Sequence, residues 1–276
     1  MKKLAVLIDG GHLRALANRH YKKLNKDFRY NRFAPDLVEE FVAGAIGVDE
    51  EVTRIFYYDC PPYVGKQTLP ISGKTYAPTP SAKWLYDLAE RDRIAVRLGS
   101  MKWRGWKLAL EDDGSYPAGP LSDKHFAPDT QQKGVDTKIA LDISHFANHR
   151  IVDRLMLFTG DIDFIPALKL ARKAGIQVVI PNIPGCRPDS VAFKELLRNA
   201  DVHRKMEWPT LAALGVAGAD RVTLASSAQV DGHVLGTAGK ATSQAGEEST
   251  IDVSAAVEPS QVSEPTKAAD PQKRTH

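Results

Sequence analysis

The chain has 276 residues, 43% of them hydrophobic and 26% charged, with a formal net charge of +3. That is enough chain for one large domain or two small ones, and it is too apolar to be wholly disordered. Its 20 glycines and 17 prolines exclude collagen-like and low-complexity classes.

The first element is a continuous apolar strand, Leu4–Ile8. Its Met-Lys-Lys start imitates a signal peptide, but the apolar run stops at Asp9, short of the roughly 7–15 residues of such a segment. Leu13–Lys23 follows as a helix, with Leu13, Leu16 and Ala17 on one face and Arg14, Arg19, Lys22 and Lys23 outside. A second helix spans Pro35–Ile46, with Pro35 in its first turn. Val52–Tyr58 is a strand, residues 60–80 a long loop, and Ser81 caps a helix reaching about Arg93. Ile94–Leu98 is a strand. In Lys102-Trp103-Arg104-Gly105-Trp106-Lys107, Gly105 marks a turn that puts two tryptophans on a β-hairpin. Residues 111–132 are a polar loop and Asp136–Asn148 a helix. Strand Arg154–Thr159, helix Asp163–Ala174, strand Ile176–Pro181, helix Ser190–Asn199 and strand Val202–Met206 complete the order.

Strands alternating with helices, several of them apolar throughout, predict a parallel sheet covered on both faces. After Trp208 there is no Phe, Tyr or Trp, so residues 209–276 are expected to be a mostly disordered tail, with a short helix near Leu211–Val216. From residue 210 onward the tail carries five Lys/Arg against eight Asp/Glu, which leaves 32 against 26 in the body. A basic body favours anionic partners such as nucleic acid, and the acidic tail offers a surface to a protein partner. No apolar run approaches the roughly 18 residues of a membrane span. The chain reads as soluble and cytoplasmic. Cys60 and Cys186 are too few for a disulfide scaffold or a four-thiolate zinc site and read as small apolar residues. His125, His145, His149 and His203 lack the spacing of a zinc site.

In an open parallel sheet, ligands bind beyond the carboxyl ends of the strands. After the first strand stands Asp9-Gly10-Gly11, and after Leu155–Thr159 stands Gly160-Asp161-Ile162-Asp163. Lys133-Gly134-Val135-Asp136 opens the helix between them. Converging carboxylates repel each other unless a cation sits among them, and oxygen-only ligands suit Mg²⁺ or Mn²⁺. Taken singly, each acid has a plain explanation. Asp9 is equally a helix cap or a ligand, Asp163 is better read as the cap of its helix, and Asp136 sits in a first turn that favours a carboxylate anyway. Asp161, between strand and cap, is the hardest to explain without a ligand.

Ile8-Asp9-Gly10-Gly11, Lys133-Gly134-Val135-Asp136-Thr137-Lys138 and Thr159-Gly160-Asp161-Ile162-Asp163-Phe164, in this order, resemble the signature of the NYN domain. That is the LabA/DUF88-like branch of the PIN-like nuclease superfamily, and the resemblance covers roughly residues 1–206. It implies a three-layer α/β/α sandwich with a central, mainly parallel sheet over residues 1–208. It also implies an acidic site that binds Mg²⁺ or Mn²⁺ and cleaves RNA. Carried over by position, Asp9, Asp136, Asp161 and Asp163 are the catalytic acids, with Asp9, Asp136 and Asp161 on the metal. The family often has Asn where this chain has His12 and Ser where it has Thr159. Both residues are expected in supporting roles, together with Asp142, which flanks the apolar face of its helix as a structural or supporting acid.

RNA phosphates call for Lys and Arg, and single-stranded bases for aromatic faces. Lys133, Arg14, Trp103, Arg104 and Trp106 are the candidate RNA contacts, against the plain alternatives of wet lysines and arginines and of tryptophans closing the core edge. The loop 60–80 is a substrate flap or a variable insertion. A metal-dependent ribonuclease is the leading reading, with DNA still open as a substrate. An RNA-binding regulatory module with the same fold and little catalysis is the alternative. A haloacid-dehalogenase-like phosphatase would place a second Asp where Gly11 stands, and a dinucleotide fold would need Gly-x-Gly-x-x-Gly there.

Overall fold

A computed structural model describes residues 1–110, 114–185 and 190–215. In chain order its elements are β1 (Lys2–Asp9), α1 (Gly10–Leu24), α2 (Tyr30–Ala43), β2 (Glu50–Asp59), β3 (Gln67–Thr68), β4 (Thr75–Tyr76), α3 (Lys83–Ala89), β5 (Ile94–Leu98), β6 (Ser100–Leu108), β7 (Phe126–Lys133), α4 (Val135–His149), β8 (Arg154–Phe158), α5 (Ile165–Lys173), β9 (Gln177–Asn182), α6 (Val191–Arg198) and β10 (Val202–Lys205). A short 3-10 turn, Ile162–Phe164, precedes α5. No helix among the described residues is long and apolar enough to cross a membrane.

Six strands form one parallel sheet in the order β10-β9-β8-β1-β2-β5. The period-two geometry of a strand divides its side chains between two cores. Leu4, Val6 and Ile8 of β1 and Met156 and Phe158 of β8 pack under α1, α2 and α3. Ala5 and Leu7, with Leu155 and Leu157, pack under α4, α5 and α6. Every residue from Leu4 to Ile8 is buried, as a strand covered on both faces requires. The α/β/α sandwich expected from the sequence is therefore present.

Sheet order locates the crevice. From β1 the chain adds β2 and β5 on one side, then returns to add β8, β9 and β10 on the other. The reversal falls between β1 and β8, and the loops beyond their carboxyl ends diverge to leave an open cleft. Those loops carry Asp9 and Asp161.

Several local expectations are corrected. α2 begins at Tyr30, and Pro35 is its sixth residue. Tyr30, Ala34, Leu37, Val38 and Phe41 form a buried stripe, and their packing outweighs the hydrogen bond that proline forfeits. α3 stops at Ala89, not Arg93, although the Ser81 hydroxyl does accept from the Lys83 N–H (3.1 Å). Gly105 is not a turn. It lies at φ +129° in a bulge of β6, which runs straight through both tryptophans. The polar segment expected as loop over 111–132 contains most of β7, paired antiparallel with β6 from Ser100–Lys133 to Leu108–Phe126. This two-stranded arm stands apart from the main sheet. The 60–80 loop carries the small β3–β4 pair and is fastened to the arm. The Trp106 indole donates to the Thr68 carbonyl (2.8 Å), and Asp123 accepts from the Ile71 and Ser72 N–H groups.

Past Trp208 the chain stays on the body as far as residue 215. The Tyr21 hydroxyl donates to the Pro209 carbonyl (2.7 Å), Leu214 is buried, and residues 211–215 form turns where a short helix was expected. Cys186 and the acidic tail from residue 216 lie outside the described residues.

Tyr57 gives a first prediction. Its ring lies against the start of α1, where a Cβ on Gly10 would sit 2.6 Å from it, and its hydroxyl bonds Tyr30 (3.0 Å). Gly10→Ala should therefore cost about 1–3 kcal/mol through overpacking, read as a lowered midpoint in thermal unfolding.

Candidate active site

Asp9 ends β1 and caps α1. Its Oδ1 accepts from the His12 N–H (3.0 Å), the cap that is one of its two expected readings. Burial pushes the Asp9 carboxyl up to about 6, helped by the negative charges of Asp136, Asp59 and Asp161 and opposed by the His12 N–H. Asp136 is also pushed up, by burial and then by Asp161 and Asp163. The expected acids from β1, α4 and the turn after β8 thus lie within electrostatic reach of one another.

Asp161 owes its position to Thr159. The buried Thr159 hydroxyl accepts from the Asp161 N–H (3.1 Å), and Asp161 Oδ1 accepts from the Asp163 N–H (2.9 Å). Asp161 is therefore the cap of the turn before α5, the role expected of Asp163. Asp163 is exposed and adds its charge next to Asp136.

A fifth acid was missed. Asp59 ends β2, and its side chain is 0% exposed. Its Oδ2 accepts from Arg14 Nη1 (2.5 Å) and the Tyr57 hydroxyl (3.4 Å), its Oδ1 from the Cys60 N–H (2.7 Å) and Gln132 Nε2 (3.0 Å). Burial pushes Asp59 up, against the pull of Arg14, Cys60 and Tyr57. The search beyond strand ends that found Asp9 also applies to Tyr57-Tyr58-Asp59, and the acid is visible there. Gln132 was missed too. It reaches from β7 to the acid corner, and its Oε1 lies 3.0 Å from where a Cβ on Gly11 would stand, so Gly11 leaves room for it.

Arg14 is corrected by the same contact. It does not face outward for phosphate but turns in to Asp59, with its guanidinium 5.9 Å over the Trp84 ring. Asp142 is also placed elsewhere. It accepts from the Tyr58 hydroxyl (2.7 Å) and Arg97 Nη2 (3.1 Å), so of its two expected roles it fills the structural one. His12 lies beside Gly160, where a Cβ would come within 2.5 Å of its ring. Burial and then Arg19 push its imidazole below the ordinary value, while Asp161 pulls the other way. Cys60 is buried behind Asp59, as a small apolar residue would be.

Among the expected RNA contacts, Lys133 is exposed and directly precedes Gly134, whose φ of +79° turns the chain into α4 and Asp136. Trp103 and Trp106 are half-buried. They pack against each other (centroids 5.1 Å) and against Tyr63 and Tyr76 of the 60–80 loop. Arg104 pairs across the arm with Asp129 (3.4 Å), while Lys102 and Lys107 are exposed on the same strand.

The oxygen donors Asp9, Asp136 and Asp161 suit a hard divalent cation, whose charge would relieve the repulsion that adds to the effect of burial on Asp9. Among the described residues no three His, Cys, Asp or Glu side chains stand close enough to form a finished cage.

The family model for the NYN domain matches residues 3–207. The chain belongs to the NYN domain family. That family is of the PIN-like nuclease fold and is associated with nuclease activity. The NYN match takes in all six strands of the sheet, β1 from its second residue, and all five acids. No match was found among curated proteins. Among solved structures the chain is similar to a protein of unknown function, VPA0982, from Vibrio parahaemolyticus RIMD 2210633. Identity is 19%, the match covers 75% of this chain and 93% of that one, and the TM-score is 0.40.

Proposed function

We propose that this NYN domain is a metal-dependent ribonuclease that hydrolyses RNA phosphodiester bonds at the corner formed by Asp9, Asp136, Asp161 and Asp163. The observation that carries the reading is the gathering of carboxylates at the crevice between β1 and β8, where burial first, and then the charges of Asp136, Asp59 and Asp161, push Asp9 up to about 6. Such crowding opposes folding and is tolerated where it serves a site. A bound Mg²⁺ or Mn²⁺ would supply charge neutralisation of the phosphodiester and a more acidic water. The protein's part is positioning. Thr159 fixes the Asp161 turn, the His12 N–H orients Asp9, and Gly134 turns the chain into α4, whose first turn carries Asp136. Lys133 and the exposed Lys102 and Lys107 supply positive charge for the RNA backbone.

The test is cleavage of labelled single-stranded RNA, with single-stranded DNA in parallel, in Mg²⁺, Mn²⁺ or EDTA. Wild type should cut RNA only with metal. Asp161→Asn, nearly the same shape but one charge short, should lose about a hundredfold or more, equivalent to about 3 kcal/mol of transition-state stabilisation. Protons compete with a cation for Asp9, so the metal concentration needed should rise as pH falls through about 6. If wild type and variant bind RNA equally and neither cuts, the domain is an RNA-binding module.

A further inference from the structure

The crevice has two flanks. On the β2–β5 side the β6–β7 arm reaches it through Gln132. On the other side, between α1 and α6, lies a pocket of about 270 Å³. Its walls include His12, Ala15, Leu16, Arg19, Gly160 and Phe193. The pocket adjoins the segments that carry the acids. His12 is one wall, its ring lies against Gly160, and Asp161 is the next residue. Arg19 is exposed and has no ion-pair partner among the described residues, although its charge is felt by His12.

The lining specifies a ligand. Ala15 is exposed and the nearly buried Leu16 and Phe193 show only their edges as a narrow apolar floor, His12 offers a ring edge, and Arg19, without an ion-pair partner among the described residues, a cation at one side. The volume falls just below the roughly 300 Å³ at which drug-sized pockets begin, which suits one nucleotide and not a duplex. A strand laid along the carboxyl edge would run from the arm, over the acids, into this pocket.

We propose that the pocket is a mononucleotide subsite, holding the base of the nucleotide beside the scissile phosphate against Leu16 and Phe193 and its phosphate on Arg19. The subsite extends the ribonuclease reading, on which the word scissile rests, but nucleotide binding there does not require catalysis.

Ligand-observed NMR with adenosine and uridine 5′-monophosphates, in EDTA, tests it. Wild type and Asp161→Asn should both bind. Arg19→Glu should weaken binding about tenfold or more by reversing a charge-assisted contact. Ala15→Phe, at an exposed helix position whose side chain would fill the pocket, should abolish it. In cleavage assays both variants should raise KM about tenfold, with kcat changed far less, because they remove binding shared by ground and transition states. Failure of wild type to bind either mononucleotide, or equal binding by both variants, overturns the subsite. Should wild type cut RNA while both variants keep its KM and its nucleotide affinity, the subsite falls and the nuclease stands. Should nothing cut RNA while Ala15→Phe still abolishes nucleotide binding, the nuclease reading falls and the subsite stands.

Discussion

Glu50→Ala should lower stability by about 3–5 kcal/mol, a drop of roughly 6–20 °C in thermal midpoint for a domain of this size. Glu50 opens β2 at the end of the sheet opposite the acids, with its side chain 0% exposed. Arg154 Nη1 donates to Oε1 (2.7 Å), Arg204 donates to both oxygens (2.7 and 3.0 Å), and the Gly47 N–H donates to Oε2 (2.6 Å). One carboxylate thus ties β2 to β8 and β10 across the sheet. Its removal leaves Arg204 without its counter-charge and Arg154 with the half-exposed Asp49 alone (3.0 Å). Burial pushes Glu50 up, but the donors from Arg204, Gly47 and Arg154 win and hold it at about 2. A folded value below the ordinary 4.5 means the contribution is complete above 4.5 and is lost as pH falls from there to about 2. Urea unfolding of wild type should therefore weaken through that window, and the variant should weaken less. Under conditions where the variant is folded, its RNA cleavage per molecule should match wild type. A variant of wild-type stability would overturn the argument.

The contrast between this clasp and the acid corner explains what the sequence disclosed. Apolar runs such as Leu4–Ile8 and Leu155–Phe158 can be buried only on both faces, so the parallel sheet follows from them directly. Asp9 and Asp161 stand at strand ends, where topology makes ligand sites, and family motifs bring in Asp136. Pairing over long sequence distances left no such mark. Phe126–Lys133 has neither alternation nor an apolar run and contains Pro128, and it is a strand only because β6 lies beside it. Trp103 and Trp106, three residues apart, would face opposite sides of a regular strand. The bulge at Gly105 shifts the register, so both meet Tyr76. Helical spacing puts Arg14 beside the Leu13–Leu16–Ala17 stripe but cannot tell that an acid 45 residues away will draw it inward.

Arg14 and Asp59 give the second large expected effect. Asp59→Ala removes the buried partner of a guanidinium that is itself only 26% exposed, and should cost about 3–5 kcal/mol, toward the low end because Arg14 can still reach water. The double variant Arg14→Met, Asp59→Leu should recover most of that loss, to within about 1–2 kcal/mol of wild type. A buried ion pair is often no more stabilising than apolar residues of similar volume. RNA cleavage should separate the two roles. If the pair served folding alone, the double variant would regain activity along with stability. Asp59, however, is the acceptor for Gln132 Nε2, and Gln132 lies one residue before Lys133 and four before Asp136. Leucine at position 59 cannot hold that amide, so the arm loses its fixed contact with the acid corner. The double variant should then unfold near the wild-type midpoint yet cleave RNA about tenfold or more slowly, as misplacement at an active site costs rate without costing fold. Full activity in the double variant would reduce Asp59 to a structural acid. Recovery of neither stability nor activity would mean that the cavity around Tyr57 cannot take leucine. Arg14→Lys then decides the matter, since it keeps the charge beside Asp59 and leaves Gln132 its acceptor. It should retain both stability and cleavage if the contact from Asp59 to Gln132 is what positions the arm.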